Sequence, residues 1–372
     1  MKEQGFSLDP KDTELLNDLL KKLIRDDADV EKFERIINSG DFIKIILQVT
    51  NSELSEHIYN TIKKNSKKNL AIKRSENQEF EERINSLWKE PFELFETLIY
   101  ISQEIGDEFN QEFRPNAVRD NDLVFEALIR LHGRACQTAL EISALMQKGF
   151  PEGAIARWRT LHEIVVIGYF IQKNGQDSAE RYLLHDAIES YNSIEKYIRK
   201  PDIYKKHKQA LSEPLLSMNE MKATQRIKIK LCEKYGKKYE TDYGWAANII
   251  SDPNFSKIEE YVNVDHLHPY YKMANISVHG GSKGINFFLS SPNKNVIPAG
   301  PGNMGMTDPG QLAAISLFQM NTILLLSKPS IYRMAEIAAL KKLLNRIKRS
   351  FGRVHKQTMK RYRELNEKES KG

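Results

Sequence analysis

The sequence predicts a mainly α protein, a helical bundle with a small β-hairpin inserted in its last third. Three observations carry that expectation. Apolar residues recur at helical spacing through most of the 372 residues. The runs are separated by short breaks such as Gly149-Phe150-Pro151 and Asn174-Gly175, residues that end or start helices. One stretch, "VHGGSKGINFFLSSPNKNVIPAGPGNMG", differs in texture and is rich in Gly, Pro and Asn.

The elements follow in order. Asp9-Pro10 can cap a first helix carrying Leu15, Leu16, Leu19, Leu20, Leu23 and Ile24. Val30 to Ile37 and Phe42 to Val49 are further amphipathic stretches, and a basic polar segment at 63–78 marks a connection. Residues 1–85 thus form an N-terminal helical region. The core, 86–335, holds helices over Phe92 to Phe113, Asp122 to Lys148, Glu152 to Lys173 and Ser178 to Tyr197, with a break expected at Arg114-Pro115-Asn116. Short connections make neighbours antiparallel. Another helix passes through Ile227 to Tyr235. Ile285 to Leu289 and Val296 to Ile297 form the hairpin, turning at Pro292 to Asn295. Asp308-Pro309 restarts a helix to about Leu326. A basic C-terminal helix or tail, 336–372, carries one apolar stripe of Leu344, Ile347, Phe351 and Val354.

Composition narrows the class. With 40% apolar and 28% charged residues, the chain suits a globular protein. Cys136 and Cys232 are the only cysteines, which argues against a secreted disulfide scaffold and a Cys-based zinc site. The start, MKEQGFSLDP, lacks the regions of a signal peptide. Ile164 to Ile171 is too short to span a bilayer, and Leu312 to Leu326 is interrupted by Ser316, Gln319, Asn321 and Thr322. A cytoplasmic protein without a transmembrane segment is expected. The net charge of +6 resides in the tail: residues 341–372 hold twelve Lys or Arg and three Glu, a net of +9. Any attraction to nucleic acid is therefore expected mainly there.

The segment "ARWRTLHEIVVIGYF", residues 156–170, concentrates the candidate chemistry. Its apolar second half covers every helix face, so the helix is expected to be central. Arg159 lies within about 60° of both His162 and Glu163 on a straight helix, and Arg157 about 140° from His162. Buried charges need partners. The next helix offers Arg181, His185, Glu189 and Asn192 as a polar stripe, and the preceding one Arg130, His132, Arg134 and Glu141. "YYKMANISVHGG" adds Tyr271, Lys272 and His279. Several of these are expected to converge in one cleft. His266 and His268 are expected on one side of an extended chain, and "HGGSKG" as a turn where Lys283 can touch an anion.

Four stretches in order, "GFPEGAIARWRTLHEIVVIGYFI", "AERYLLHDAIESY", "YYKMANISVHGGSKG" and "AGPGNMGMTDPGQLAAISLFQ", resemble a bacterial family known only as domain of unknown function 5677. The likeness spans roughly residues 120 to 327. Arg157 and His162, with four residues between them, also resemble the Arg–His motif of the HEPN superfamily, helical bundles that include RNases of toxin–antitoxin and antiphage systems. That resemblance implies metal-independent RNA cleavage in defence or stress, at a composite site in a homodimer. His would move the 2′-OH proton and Arg would stabilise the phosphate.

The expected site is then Arg157, Arg159, His162 and Glu163, supported by His185, Glu189 and His279. Lys283, Arg346, Lys348, Arg349 and Arg353 are the expected nucleic-acid contacts, RNA first, and no cofactor or resident metal is expected. Two alternatives stand beside this. The polar cluster is a structural ion network in a non-catalytic binding or regulatory protein. Otherwise His185 and Glu189, at i and i+4, join a metal site; the dipeptide His185-Asp186 resembles that of HD phosphohydrolases.

Overall fold

The structure, a computed structural model, describes residues 53–200, 218–279, 281–284, 289–290 and 299–369. All regular elements among the described residues are helical. The expected hairpin of Ile285 to Leu289 and Val296 to Ile297 lies almost wholly outside the described residues, as do the helices expected before residue 53. The chain divides into two compact units, Met1–Phe80 and Glu81–Gly372.

Helix α1 is Glu53–Leu87. The second unit continues with α2 (Lys89–Asp120), α3 (Leu123–Gln147), α4 (Pro151–Asn174), α5 (Gln176–Leu184), α6 (Asp186–Arg199) and α7 (Met218–Tyr235). Short 3-10 turns lead to α8 (Phe255–Tyr261) and α9 (His268–Val278), followed by α10 (Thr307–Ser327) and α11 (Ile331–Glu369).

Local chemistry sets most boundaries. Asp122 accepts a hydrogen bond from the Phe125 amide and so caps α3. Gly149, at φ 83°, ends the turn after α3, and Pro151 opens α4. Asn254 caps α8 through the Lys257 amide. Two expected boundaries are corrected. Helix α2 runs through Pro115 and ends where Asn121 turns left-handed, at φ 49°. Pro115 is exposed, so water can satisfy the carbonyl that loses its amide partner there. The single helix expected over Ser178 to Tyr197 is two, α5 and α6, joined at His185.

Helix α10 is the centre of the bundle. It packs against α2, α3, α4 and α11, and α4 also packs along α3, α8 and α9. α10 is long and apolar enough to cross a membrane by length and composition, and most of it is buried inside the structure. Leu344, Ile347, Phe351 and Val354 are all buried, so the apolar stripe of α11 is seated on the bundle. Each such side chain contributes about 1.5–3 kcal/mol of burial. Gly310 admits the Phe351 ring: a Cβ there would stand 2.3 Å from its Cζ.

Candidate functional site

Helix α4 carries its polar residues because α8 and α9 cover that face. Trp158 and His162, one turn apart, are wholly buried with stacked rings 5.3 Å between centroids. Trp158 Nε1 donates to Ser316 Oγ on α10. His162 is enclosed further by Phe255 from α8 and Tyr271 from α9. Into this aromatic box α8 inserts Glu259, also wholly buried.

Glu259 holds two histidines. His162 Nε2 lies 2.7 Å from Oε1, and His268 Nδ1 lies 2.5 Å from Oε2. An ionised carboxylate only accepts, so both imidazoles donate to it. Neutral His268 is then the tautomer whose Nε2 carries the lone pair. His268 is 23% exposed, while His162 and Glu259 are closed to solvent. His162 Nδ1 has no hydrogen-bond partner among the described residues. The arrangement is a partly exposed imidazole held at Nδ1 by a buried carboxylate.

A second group adjoins it through Tyr271. The Tyr271 hydroxyl donates to Glu163 Oε1 at 2.5 Å. Arg159 Nε stands 3.1 Å from the same oxygen, off the line a hydrogen bond requires. The Arg159 guanidinium covers the Tyr271 ring at 4.8 Å, and the His268 ring stacks on it at 6.0 Å between centroids. Burial, reinforced by Glu163, pushes the Tyr271 hydroxyl above its usual range. Burial first and Glu163 second push that of Tyr243 up to about 12. Arg159 and Glu163 each remain 29% exposed.

The residues expected to converge fall into separate groups. Arg157 is turned to α3, where Nε donates to Glu141, while Nη1 donates to Thr160 Oγ1 three residues along α4 itself. It does not face His162, because the two lie far apart around a regular helix. His185 is buried at the α5–α6 junction. Its Nε2 lies 3.0 Å and 3.2 Å from the Thr241 and Tyr239 carbonyls, and its Nδ1 3.3 Å from Glu189. Arg181 pairs with Asp177, and Asn192 Nδ2 lies 3.5 Å from the Glu240 carbonyl. His279 is exposed at the end of α9. Among the described residues no three His, Cys, Asp or Glu side chains are grouped to hold a metal ion.

Sequence reading missed Glu259 and underrated His268. Glu259 sits beside another glutamate in "FSKIEEY", where nothing marks one of the two as buried. Its only signal is helical spacing: Phe255, Ile258 and Glu259 share a face. His266 and His268 are not on an extended strand. Asp265–Leu267 is a 3-10 turn and His268 opens α9.

His132 belongs to a different buried network. Its Nε2 lies 2.8 Å from Asn321 Oδ1, and Asn321 Nδ2 donates to Ser102 Oγ. Burial lowers its pKa, against the opposing pull of Asn321 and Asp107. Burial likewise pushes the neighbouring Cys136 thiol up to about 12. The two line one wall of an open groove of about 430 Å³ between α2 and α3, with Gly106 and Gly133.

The expected nucleic-acid contacts are exposed. Arg346 and Arg353 share Glu90 of α2. Arg349 donates to the Asn345 carbonyl, while Lys348 projects from another side of α11. Lys283 lies in the turn after α9.

Residues 125–296 match the model of a family of unknown function, DUF5677. The match covers α3 to α9, and so every residue of the Glu259-centred cluster. No curated protein and no solved structure matches the chain.

Proposed function

We propose that the chain is a metal-independent ribonuclease of bacterial defence or stress response, with its reacting site at His268 and Arg159. The observation that carries this is the buried Glu259 holding Nδ1 of a partly exposed His268. That contact orients the ring and keeps Nε2 available as a base. His268 takes the proton of an RNA 2′-OH, the 2′-oxygen attacks phosphorus, and the bond to the 5′-oxygen breaks, that oxygen leaving with a proton from water. Arg159, held over the Tyr271 ring on which His268 also stacks, stabilises the charge gathering on the phosphoryl oxygens. His162 acts behind Glu259 as a positioning residue. This is a different pair from Arg157 and His162, whose side chains face different neighbours.

The test is RNA cleavage by the purified full chain in the presence of a chelator. His268→Ala is expected to lose about 10²–10⁴-fold in rate with an unchanged fold by circular dichroism. Arg159→Lys should lower kcat more than it raises KM, because a bidentate donor becomes a point charge. A wild-type chain that is folded and leaves RNA intact overturns the reading, as does full activity in His268→Ala.

The burial of His162 and Glu259 and the capture of His185 by two carbonyls favour a second reading. There the cluster fixes how α8 and α9 seat on α4, in a helical binding protein without catalysis. It predicts that His268→Ala and His162→Ala alter stability alone.

A further inference from the structure

Helix α11 carries a second feature besides its buried stripe. Lys342, Arg346, Arg349, Arg353, Lys356, Lys360 and Arg363 follow one another at alternating steps of four and three residues. A 3.5-residue period keeps them on one face over about 30 Å, at about 5 Å per step. All seven are exposed. The buried stripe of Leu340, Leu344, Ile347, Phe351 and Val354 repeats at similar spacing about half a turn away. Residues 337–363 contain no Asp or Glu at all. Among the described residues Glu90 meets the row, pairing with Arg346 and Arg353, and Glu364, just past its end, pairs with Lys360.

We propose that this row of seven cations is a track for a nucleic-acid phosphodiester backbone. Its regularity and single sign fit a uniform polyanion. A protein partner chosen by charge calls for a pattern of both signs. An anionic membrane calls for a free apolar face to enter the headgroup boundary, and the apolar face of α11 is already under α2 and α10. The bundle holds the helix as far as Val354 and leaves the cations exposed, which lowers the ordering cost that a loose basic tail would bear on binding.

The proposal takes only its first probe, RNA, from the ribonuclease reading, and the two fail separately. Binding is measured by fluorescence anisotropy on the folded His268→Ala chain, so that cleavage does not enter. The probes are duplex RNA, duplex DNA and single-stranded RNA, each over a range of salt. Full engagement gives a log–log salt slope of about −6 on duplex and about −5 on single strands. R349Q/K356Q/R363Q should reduce the duplex slope by about 3, while K63Q/K64Q/K67Q, on α1, should leave it unchanged. Preference among the three probes identifies the source of the backbone. An unchanged slope in the α11 triple variant overturns the track. So does tighter binding to phosphatidylserine vesicles than to any nucleic acid. Loss of cleavage without loss of this slope leaves the track standing and ends only the ribonuclease reading.

Discussion

Glu259 and His162, 97 positions apart in sequence, meet at 2.7 Å with neither side chain exposed to solvent. The contact joins α8 to α4 inside a box of Trp158, Phe255 and Tyr271. Removing one partner leaves a buried carboxylate with half its donors. His162→Ala should therefore cost about 3–5 kcal/mol. Replacing both by apolar groups of similar volume, H162F/E259L, removes the charge along with its partner. Urea unfolding of the four chains should give a double variant far more stable than the sum of the singles implies. Additive losses would show that the pair is not coupled.

The two glycines facing the α2–α3 groove are not equivalent. A Cβ on Gly106 would stand 2.7 Å from His132 Nδ1, whereas one on Gly133 meets nothing within 4 Å among the described residues. His132 cannot yield easily, since its other nitrogen is bonded to Asn321. Gly106→Ala should destabilise by about 1–3 kcal/mol. Gly133→Ala should stabilise by about 0.4–1 kcal/mol, because Ala costs less backbone entropy in a helix. Denaturation midpoints that move the same way in both variants would refute this packing of α2 on α3.

His132 should also make stability depend on pH. Burial holds its folded-state pKa below the ordinary 6.5. Above that pH neither folded nor unfolded chain binds the proton, and the contribution is complete. Below it the unfolded chain takes up a proton that the native chain refuses, so stability falls until the folded pKa is reached. His132→Gln retains a donor toward Asn321 without a titrating ring. The stability difference between native chain and variant should narrow or invert as pH drops from about 6.5. Parallel stability curves across that range would contradict it.

What was legible in the sequence follows from what periodicity encodes. The stripe Leu344, Ile347, Phe351 and Val354 was readable because an apolar repeat has one physical use, burial against another element. The break at Gly149-Pro151 was readable because those residues restrict the backbone themselves. Pro115 misled because one missing hydrogen bond on an exposed face is a small local penalty that a 32-residue helix absorbs. The site was half visible. Arg159, His162 and Glu163 stood out as polar groups in an apolar helix, which announces partners without naming them. Glu259 was invisible, since a buried glutamate and a solvated one beside it are written with the same letter. Only the fold of α8 against α4 separates Glu259 from Glu260, the one buried and the other exposed.

The basic end of the chain should behave as part of the core. Phe351 is wholly buried against Trp88 and Phe92, with ring centroids 6.0 Å and 6.3 Å away. It lies over Gly310, whose missing side chain lets α10 and α11 approach. Phe351→Ala should cost about 3–5 kcal/mol through lost burial and the cavity left behind. Gly310→Ala pushes a methyl into the same ring and should also destabilise. In the double variant the methyl meets empty space, so the combined loss should be smaller than the sum. Strict additivity in thermal or urea unfolding would refute direct contact. The same measurements separate the two faces of α11. R349Q/K356Q/R363Q changes only exposed cations, and its unfolding midpoint should match the native chain while the salt slope of duplex binding falls by about 3. A tail that merely hangs from the bundle would show the reverse for Phe351→Ala, with no change in stability.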